Sequence, residues 1–143
     1  MTRAKVCGIR DEGARDVAVA AGADAVGFVV EIPRSKRGID RAEARGLIEG
    51  LPPFVSSVIV VEPNSASEAA KLALDTGADV IQVNDTLNFE DLVTLKEMVP
   101  RRLVATIPAG PGVEKVAREM AKVADALLLD SLEGGKLGGT GTV

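Results

Sequence analysis

Four side chains and one loop in this 143-residue chain could carry chemistry. Cys7 offers a thiol and Asp130 a carboxyl group, and both groups can accept or donate a proton. Arg37 offers a permanent positive charge in a basic loop, and Asn84 offers an amide. The chain is rich in glycine over residues 134–141, where backbone N–H groups can approach an anion closely. This combination suits a small anionic ligand, with the glycine-rich loop as a phosphate cradle.

The amino-acid composition excludes several kinds of active site and binding surface. Because the chain has no histidine, a Ser-His-Asp triad, a Cys-His pair and the usual histidine metal sites are excluded, and acid and base roles fall to Cys, Asp, Glu or Lys. A net charge of -4 and an aromatic content of 2% argue against a surface that binds DNA or RNA. We therefore expect a small-molecule partner and no nucleic acid.

The cysteine count and the hydropathy pattern indicate the cellular setting. The single cysteine, Cys7, cannot form an internal disulfide, and no apolar stretch reaches the roughly 18 residues that a membrane span requires. The N-terminus leads straight into a patterned segment without the apolar block of a signal peptide. We expect a cytoplasmic protein with no membrane partner.

Each candidate also has an explanation that involves no chemistry. A lone cysteine is more often a small buried hydrophobic residue, and a basic loop such as 33–37 is often a solvated surface. Asp130 could simply hydrogen-bond its own loop, and asparagine is common where a strand turns into a loop. The glycine-rich loop matches neither the P-loop nor the dinucleotide-binding fingerprint, so alone it could be a loose tail.

The elements that must position these residues are strands and helices in regular alternation, which indicates parallel βα units and an α/β fold. Ligands of such folds bind beyond the carboxyl ends of the strands, where Cys7, Asn84 and Asp130 are expected to lie. The sequence predicts six strands, at residues 4–8, 25–30, 55–61, 80–83, 103–107 and 126–130. It predicts five helices, at residues 11–21, 41–51, 67–76, 89–98 and 113–123.

Local signals support the helix boundaries. Asp40 followed by Glu43 predicts a capping box, and Asn88 predicts a cap at the start of the fourth helix. Gly22 and Gly77 stand where helices end in the left-handed conformation. These signals place helix ends where the hydrophobic pattern also places them.

An internal repeat marks the joints between helices and strands. Residues 21–26 recur in similar form at 76–81, with a weaker echo at 123–127. No linker divides the chain, so residues 1–143 are predicted to form one domain. The βα rhythm fits both an open doubly wound sheet and a closed (β/α)8 barrel, and periodicity does not decide between them.

Seven segments form an ordered series of motifs. Two of them are specific, K-V-C-G-I at 5–9 and A-G-A-D-A-V-G-F-V at 21–29. The others are P-R-S-K-R at 33–37, L-P-P-F-V at 51–55, Gln82, L-L-D-S at 128–131 and G-G-T-G at 138–141. Taken in this order, they resemble the signatures of the phosphoribosylanthranilate isomerase family over the whole chain.

The resemblance implies a (β/α)8 TIM barrel and an isomerase of tryptophan biosynthesis. The implied reaction converts N-(5-phosphoribosyl)anthranilate to 1-(2-carboxyphenylamino)-1-deoxyribulose 5-phosphate by an Amadori rearrangement, with no cofactor and no metal. By similarity, Cys7 is the general base that removes the C2 proton of the sugar, and Asp130 is the general acid that protonates the ring oxygen. Arg37 would hold an anionic group of the substrate. The phosphate would bind to the backbone of Gly138, Gly139, Thr140 and Gly141.

The chain departs from the family pattern after two of these motifs. The family commonly has Q-[LV]-H-G after strand four, whereas this chain reads Gln82-Val83-Asn84-Asp85, so we assign no ligand role to Asn84. After Gly141 the family usually continues through a basic residue to Asp-Trp, whereas this chain ends at Thr142-Val143. The second departure bears on the completeness of the barrel.

Only about the first six βα units of the barrel are predicted, so strands seven and eight are expected to be missing. A barrel that lacks two strands exposes two unpaired edges. The sequence could be a fragment, its last quarter could be disordered, or another chain of a homo-oligomer could fill the gap. We favour a fragment, because the phosphate loop is not a natural domain boundary. The activity is then expected to belong to the complete polypeptide.

Two other functions stay open. One is another phosphate-binding barrel enzyme, such as indole-glycerol-phosphate synthase or a related aminoimidazole isomerase, although those enzymes lack the cysteine signature at 5–9. The other is a non-catalytic truncated barrel or assembly module, which the absent C-terminal quarter favours. A turnover assay combined with the native mass separates these functions.

Overall fold

A computed structural model describes residues 1–133 and 136–137. All six predicted strands and all five predicted helices are present, with bounds that differ from the prediction by at most three residues. Three short strands, at Gly38–Ile39, Leu132–Glu133 and Lys136–Leu137, are additional. In chain order the elements are β1 (Lys5–Cys7), α1 (Glu12–Ala20), β2 (Ala25–Val30), β3 (Gly38–Ile39), α2 (Arg41–Glu49), β4 (Ser56–Val61), α3 (Ala66–Thr76), β5 (Val80–Asn84), α4 (Phe89–Met98), β6 (Arg102–Pro108), α5 (Val113–Met120), β7 (Ala126–Asp130), β8 (Leu132–Glu133) and β9 (Lys136–Leu137).

The main sheet has its strands in the same order in space as along the chain. Strands β1, β2, β4, β5, β6 and β7 lie side by side and parallel, and β3 pairs with the end of β2. A doubly wound sheet reverses its strand order at a switch point, and no reversal occurs among the described strands. The fold is therefore an α/β half-barrel of parallel strands. Strands β8 and β9 form a separate antiparallel pair.

The sheet is strongly curved. Strands β1 and β5 are three strand positions apart, which corresponds to about 14 Å in a flat sheet. Lys5 in β1 nevertheless donates a hydrogen bond from Nζ to Oε1 of Gln82 in β5. Because side chains stand roughly perpendicular to a sheet, this contact requires a concave face on which they converge. That face, the inside of the sheet, also carries Cys7, two residues after Lys5 on β1.

The outside of the sheet packs against the helices and forms the hydrophobic core. Helices α2, α3 and α4 lie side by side over its central strands. Each large apolar side chain buried there contributes about 1.5–3 kcal/mol by leaving water. Seven such side chains from four neighbouring strands are at most 1% exposed: Val26, Phe28, Val30, Ile59, Val61, Ile81 and Leu103.

The predicted helix boundaries are confirmed by hydrogen bonds. In the capping box, the Glu43 backbone N–H donates to Asp40 Oδ1 at 2.8 Å, and the Asp40 N–H donates to Glu43 Oε2 at 2.9 Å. Asn88 caps α4 by accepting the Asp91 N–H at 2.8 Å. Gly77 ends α3 with a φ of +73°, the left-handed conformation. A side-chain cap of this kind contributes about 1 kcal/mol.

The internal repeat places an aspartate directly before a strand in each of its three copies. Each carboxylate accepts a backbone N–H at the start of the neighbouring strand: Asp24 from Ala4 at 2.7 Å, Asp79 from Ser57 at 2.9 Å, and Asp125 from Leu103 at 2.7 Å. These three aspartate clamps join β1 to β2, β4 to β5, and β6 to β7. They lie at the amino ends of the strands, so the repeat is a device that holds neighbouring strands in register.

The outer strands of the sheet are less buried than its centre. All three residues of β1 are exposed, whereas five of the six residues of β4 are buried. No residue of β7 or of α5 is fully buried. Within residues 1–133 and 136–137, β1 and β7 each pair with a main-sheet strand on one side only. Among the described strands, none closes the inside of the curved sheet between β1 and β7.

Candidate active site

The predicted site residues that the structure describes lie where the parallel strands finish, which we call the carboxyl end of the sheet. Cys7 is the last residue of β1, Asn84 of β5 and Asp130 of β7. Arg37 directly precedes β3, which pairs with the last two residues of β2. Cys7 and Asp130 thus stand at the same end of the sheet, on the two strands that border its opening.

The Cys7 thiol is exposed, so its explanation as a small buried hydrophobic residue is wrong. Its side chain lies against Gly27, its register partner in β2. The Gly27 carbonyl accepts the backbone N–H groups of Gly8 and Ile9, at 3.0 and 3.1 Å. These two hydrogen bonds fix the chain immediately after Cys7. The thiol is therefore anchored on rigid backbone and accessible to a ligand.

The side chain of Arg37 lies over the residue that follows Cys7. Its Cδ is 2.5 Å from the point that a Cβ on Gly8 would occupy, so a larger residue at position 8 would displace it. Gly8 also has a φ of +84°, a conformation that favours glycine. The Arg37 backbone N–H donates to Ser35 Oγ at 3.2 Å, which helps to shape the loop. Arg37 thus brings a positive charge beside the end of β1.

Asp130 is half-buried and takes part in two hydrogen bonds, one through its side chain and one through its backbone. Its Oδ1 accepts the Ser131 N–H at 2.8 Å, and its backbone carbonyl accepts the Ala109 N–H at 2.8 Å. The non-chemical explanation, a carboxylate that orders its own loop, is therefore present in the structure. A carboxylate has two acceptor oxygens, and among residues 1–133 and 136–137 only one of those of Asp130 has a hydrogen-bond donor.

A chain of polar side chains runs across the inside of the sheet below the carboxyl end, and sequence reasoning missed it. Gln82 and Thr106 are only 5% and 2% exposed, and Gln82 Nε2 donates to Thr106 Oγ1 at 3.2 Å. A buried glutamine in an apolar strand is the signal that could have revealed it. This chain of polar side chains then continues toward the carboxyl end of the sheet and reaches the loop before β3. Its links are Lys5 to Gln82, Gln82 to Asn84 at 3.4 Å, Asn84 to Glu62 at 3.4 Å, and the ion pair of Glu62 with Arg34.

Asp85 occupies a strained position at the carboxyl end. Its φ of +24° is rare for a residue other than glycine. Burial raises the pKa of the Asp85 carboxyl above its ordinary value.

The predicted phosphate loop, Gly138, Gly139, Thr140 and Gly141, lies outside the described residues. Its role stays a prediction, as do the catalytic roles of Cys7 and Asp130 and the binding role of Arg37. In the part of the chain that is described, no three His, Cys, Asp or Glu side chains group in a way that could hold a metal ion. Among the described helices, none has the length and apolar character to cross a membrane.

Comparison with known proteins identifies the family. No family model matches the chain, but individual proteins do. It is 44% identical over 141 residues to the N-(5'-phosphoribosyl)anthranilate isomerase of Methanothrix thermoacetophila, covering 99% of this chain and 66% of that protein. It is 35% identical over 157 residues to N-(5'-phosphoribosyl)anthranilate isomerase 1 of Methanosarcina mazei, covering 99% and 67% respectively. The chain belongs to the phosphoribosylanthranilate isomerase family.

A solved member of the family supports the same assignment. The crystal structure of a phosphoribosylanthranilate isomerase in complex with reduced 1-(o-carboxyphenylamino)-1-deoxyribulose 5-phosphate matches with a TM-score of 0.78 and 28% identity, covering 93% of this chain and 66% of that one. The chain thus spans about two thirds of the length of the family members it matches. These matches favour neither the synthase nor the non-catalytic alternative.

Proposed function

We propose that the protein is a phosphoribosylanthranilate isomerase of tryptophan biosynthesis, which converts N-(5-phosphoribosyl)anthranilate to 1-(2-carboxyphenylamino)-1-deoxyribulose 5-phosphate. One observation carries the proposal: Cys7, with Arg37 beside it, shares the carboxyl end of a curved parallel sheet with Asp130. Ligands of parallel α/β folds bind at this end. Family membership, and a relative crystallised with a reduced ribulose phosphate, support a phosphosugar substrate.

The reaction needs two proton transfers of opposite sense. Asp130 donates a proton to the ring oxygen as the bond from that oxygen to C1 breaks, which leaves a protonated Schiff base on the anthranilate nitrogen. Cys7 then removes the C2 proton, and the electron pair of the C–H bond neutralises the Schiff base as an enolamine forms. Tautomerisation of the enolamine gives the ketone at C2. Since C2 is oxidised while C1 is reduced, the proposal calls for no external oxidant, reductant or cofactor.

Two further groups would bind the substrate. Arg37 would hold an anionic group, because a guanidinium presents donors that match a carboxylate or a phosphate, and its side chain lies next to the thiol. The backbone of Gly138, Gly139, Thr140 and Gly141 would bind the phosphate, because glycines let N–H groups approach an anion. Both groups would then act by holding the ribose between Cys7 and Asp130.

The six parallel strands would be the first six of a (β/α)8 barrel whose strands seven and eight lie outside residues 1–143. Residues 1–143 would then form a single, incomplete domain, and turnover would belong to a longer polypeptide. The unreversed strand order, the curvature and the match to two thirds of the relatives support this proposal. A homo-oligomer is another way to close the opening between β1 and β7. A cytoplasmic location would keep the exposed Cys7 thiol reduced.

A fluorescence assay of the full-length protein tests the proposed function. The fluorescence of the anthranilate group is followed while the phosphoribosyl adduct of anthranilate is converted. Catalytic amounts of the protein are expected to accelerate the loss of this fluorescence. The Cys7→Ala variant, purified in parallel, is the control for a contaminating isomerase. If the protein gave no faster loss than this control, the proposed function would be wrong.

A further inference from the structure

Gly27 is a buried glycine in the interior of β2, where its residue type needs an explanation. Glycine weakens a strand, because it gains no side-chain packing and loses the most backbone freedom on folding. Unlike Gly8 and Gly22, Gly27 does not have a positive φ, so its backbone conformation is open to any residue. The requirement for glycine must therefore come from the space around it.

That space is occupied by Cys7. A Cβ on Gly27 would lie 2.6 Å from Cys7 Sγ and 3.2 Å from both the Cα and the Cβ of Cys7. Non-bonded carbon atoms pack at about 3.5–4.0 Å, and sulfur is larger than carbon, so the first of these distances is a clash. Gly46 in α2 offers a contrast, because a Cβ there would have nothing within 4 Å.

The backbone of Gly27 also restrains the backbone of Cys7. Its carbonyl accepts the N–H groups of Gly8 and Ile9, and its register partner across the β1–β2 pair is Cys7 itself. Cys7 therefore cannot shift along or away from β2 without breaking strand hydrogen bonds. The easier response to a methyl group at position 27 is rotation of the thiol about the Cα–Cβ bond.

We propose that Gly27 is a positioning residue, which sets the rotamer and hence the location of the Cys7 thiol. A methyl group at position 27 would move the sulfur to another staggered rotamer, which displaces it by about 3 Å. The consequence for turnover rests on the proposed function. A general base displaced by even 1 Å can lose about 100-fold in rate, so Gly27→Ala is expected to lower kcat at least that much. KM should change little, because Arg37 packs on Gly8 rather than on Gly27.

The experiment compares Gly27→Ala with the matched control Gly46→Ala in the full-length protein. Fluorescence turnover gives kcat and KM, and urea unfolding gives the midpoint of each variant. We expect Gly27→Ala to lower both kcat and the urea midpoint, and Gly46→Ala to keep wild-type kcat. Equal kcat values for Gly27→Ala and wild type would overturn the proposal.

A double variant separates positioning of the thiol from general damage to β2. Because the closest clash involves Sγ, Cys7→Ala should recover at least half of the midpoint shift that Gly27→Ala causes in the Cys7 protein. The Cys7→Ala/Gly27→Ala variant also provides a measurable fold if Gly27→Ala alone does not fold. Identical midpoint shifts with and without the thiol would show that Gly27 does not act through Cys7.

The unfolding cycle needs no substrate, so it distinguishes failure of this inference from failure of the proposed function. Recovery of the midpoint in a protein that performs no isomerisation would leave the thiol positioned by Gly27 and remove only the proposed reaction. Turnover in a protein whose midpoint shifts are independent of Cys7 would remove the positioning role of Gly27 and leave the proposed reaction in place.

Discussion

The amino end and the carboxyl end of the sheet both carry aspartates, but those aspartates have different partners. At the amino end, Asp24, Asp79 and Asp125 each accept a backbone N–H from the neighbouring strand, so all three do the same structural work. At the carboxyl end, Asp85 has a strained backbone and a raised pKa, and the Asp130 carboxylate accepts the N–H of Ser131, the next residue in its own loop.

The difference teaches how to interpret repetition in a βα protein. A residue that recurs in every copy of the repeat solves a problem that every strand shares, namely register with its neighbour. A residue that occurs once, such as Cys7 or Arg37, does not have a structural role that every strand requires, and it is therefore a better candidate for chemistry. This agrees with the general division of βα barrels into a stabilising amino end and a catalytic carboxyl end.

The largest expected effect is loss of turnover when the thiol is removed. Cys7→Ala should lower kcat by about 10²–10⁴-fold, the usual contribution of a general base. Because Cys7 is exposed, the urea midpoint should stay near that of wild type. Steady-state fluorescence kinetics and urea unfolding on one preparation measure both quantities. Near-normal kcat in Cys7→Ala would remove the thiol from the mechanism.

Two aspartates at opposite ends of β7, Asp125 directly before it and Asp130 as its last residue, give a matched test of the two ends. Asp130→Asn should lower kcat by about 10²–10⁴-fold, as expected for loss of a general acid. Asp125→Asn should keep kcat and lower the free energy of unfolding by about 1 kcal/mol, because it loses its charged hydrogen bond with Lys96. The same two assays apply. A reversed pattern, with turnover lost at 125 and stability lost at 130, would contradict the division between the ends.

Arg37→Ala should act mainly on substrate binding. Loss of one charge-assisted contact to an anionic group should raise KM by about 10–100-fold, with a smaller change in kcat. Lys36→Ala, in the same basic loop, is the matched control and should leave KM unchanged. Similar KM increases in both variants would indicate a general charge effect rather than a specific contact by Arg37.

The smallest effects are pH-dependent changes in stability, with opposite signs at the two ends. Burial would raise the pKa of Asp125, but hydrogen bonds from Lys96 and the Leu103 N–H outweigh it, so the pKa lies below its ordinary value. Its contribution is therefore complete above the unfolded-state pKa of about 4 and is lost as pH falls through the folded-state pKa. Asp125→Asn should be less stable than wild type at pH 7, and the difference should vanish in strong acid.

Asp85 should behave in the opposite way. Because burial raises its pKa, ionisation destabilises the folded state as pH rises through that pKa. Asp85→Asn should therefore be more stable than wild type at pH 7, and the difference should shrink toward zero as pH falls below about 4, where Asp85 becomes protonated in both the folded and the unfolded state. Urea midpoints between pH 3 and pH 7 measure both variants. Equal signs for Asp85→Asn and Asp125→Asn at pH 7 would show that the two ends do not differ in this respect.

The sequence was sufficient for the strands and helices because their signals are local. Apolar runs such as 55–61 and caps such as Asp40 with Glu43 depend on neighbours within a few residues. Strand order was left open because periodicity carries no information about which strands pair. The short strand β3 was missed, since a two-residue pairing at Gly38–Ile39 has no pattern to detect.

The site was predictable only in part, because its details depend on contacts between distant segments. The carboxyl-end positions of Cys7 and Asp130 follow directly from strand boundaries. The contact of Lys5 with Gln82 spans 77 residues and exists only because the sheet curves. The space that Gly27 leaves for the thiol likewise appears only when β1 and β2 pair in register.

The central claim is that Cys7 and Asp130 act on one sugar phosphate at the carboxyl end of the sheet. A crystal structure of the full-length protein with reduced 1-(o-carboxyphenylamino)-1-deoxyribulose 5-phosphate tests it most directly. We expect the ribulose chain to lie between the two side chains, with Cys7 Sγ and an Asp130 carboxyl oxygen each within about 3.5 Å of a reacting atom. The claim would be contradicted if the ligand bound at the carboxyl end with either side chain out of reach, or bound elsewhere on the protein.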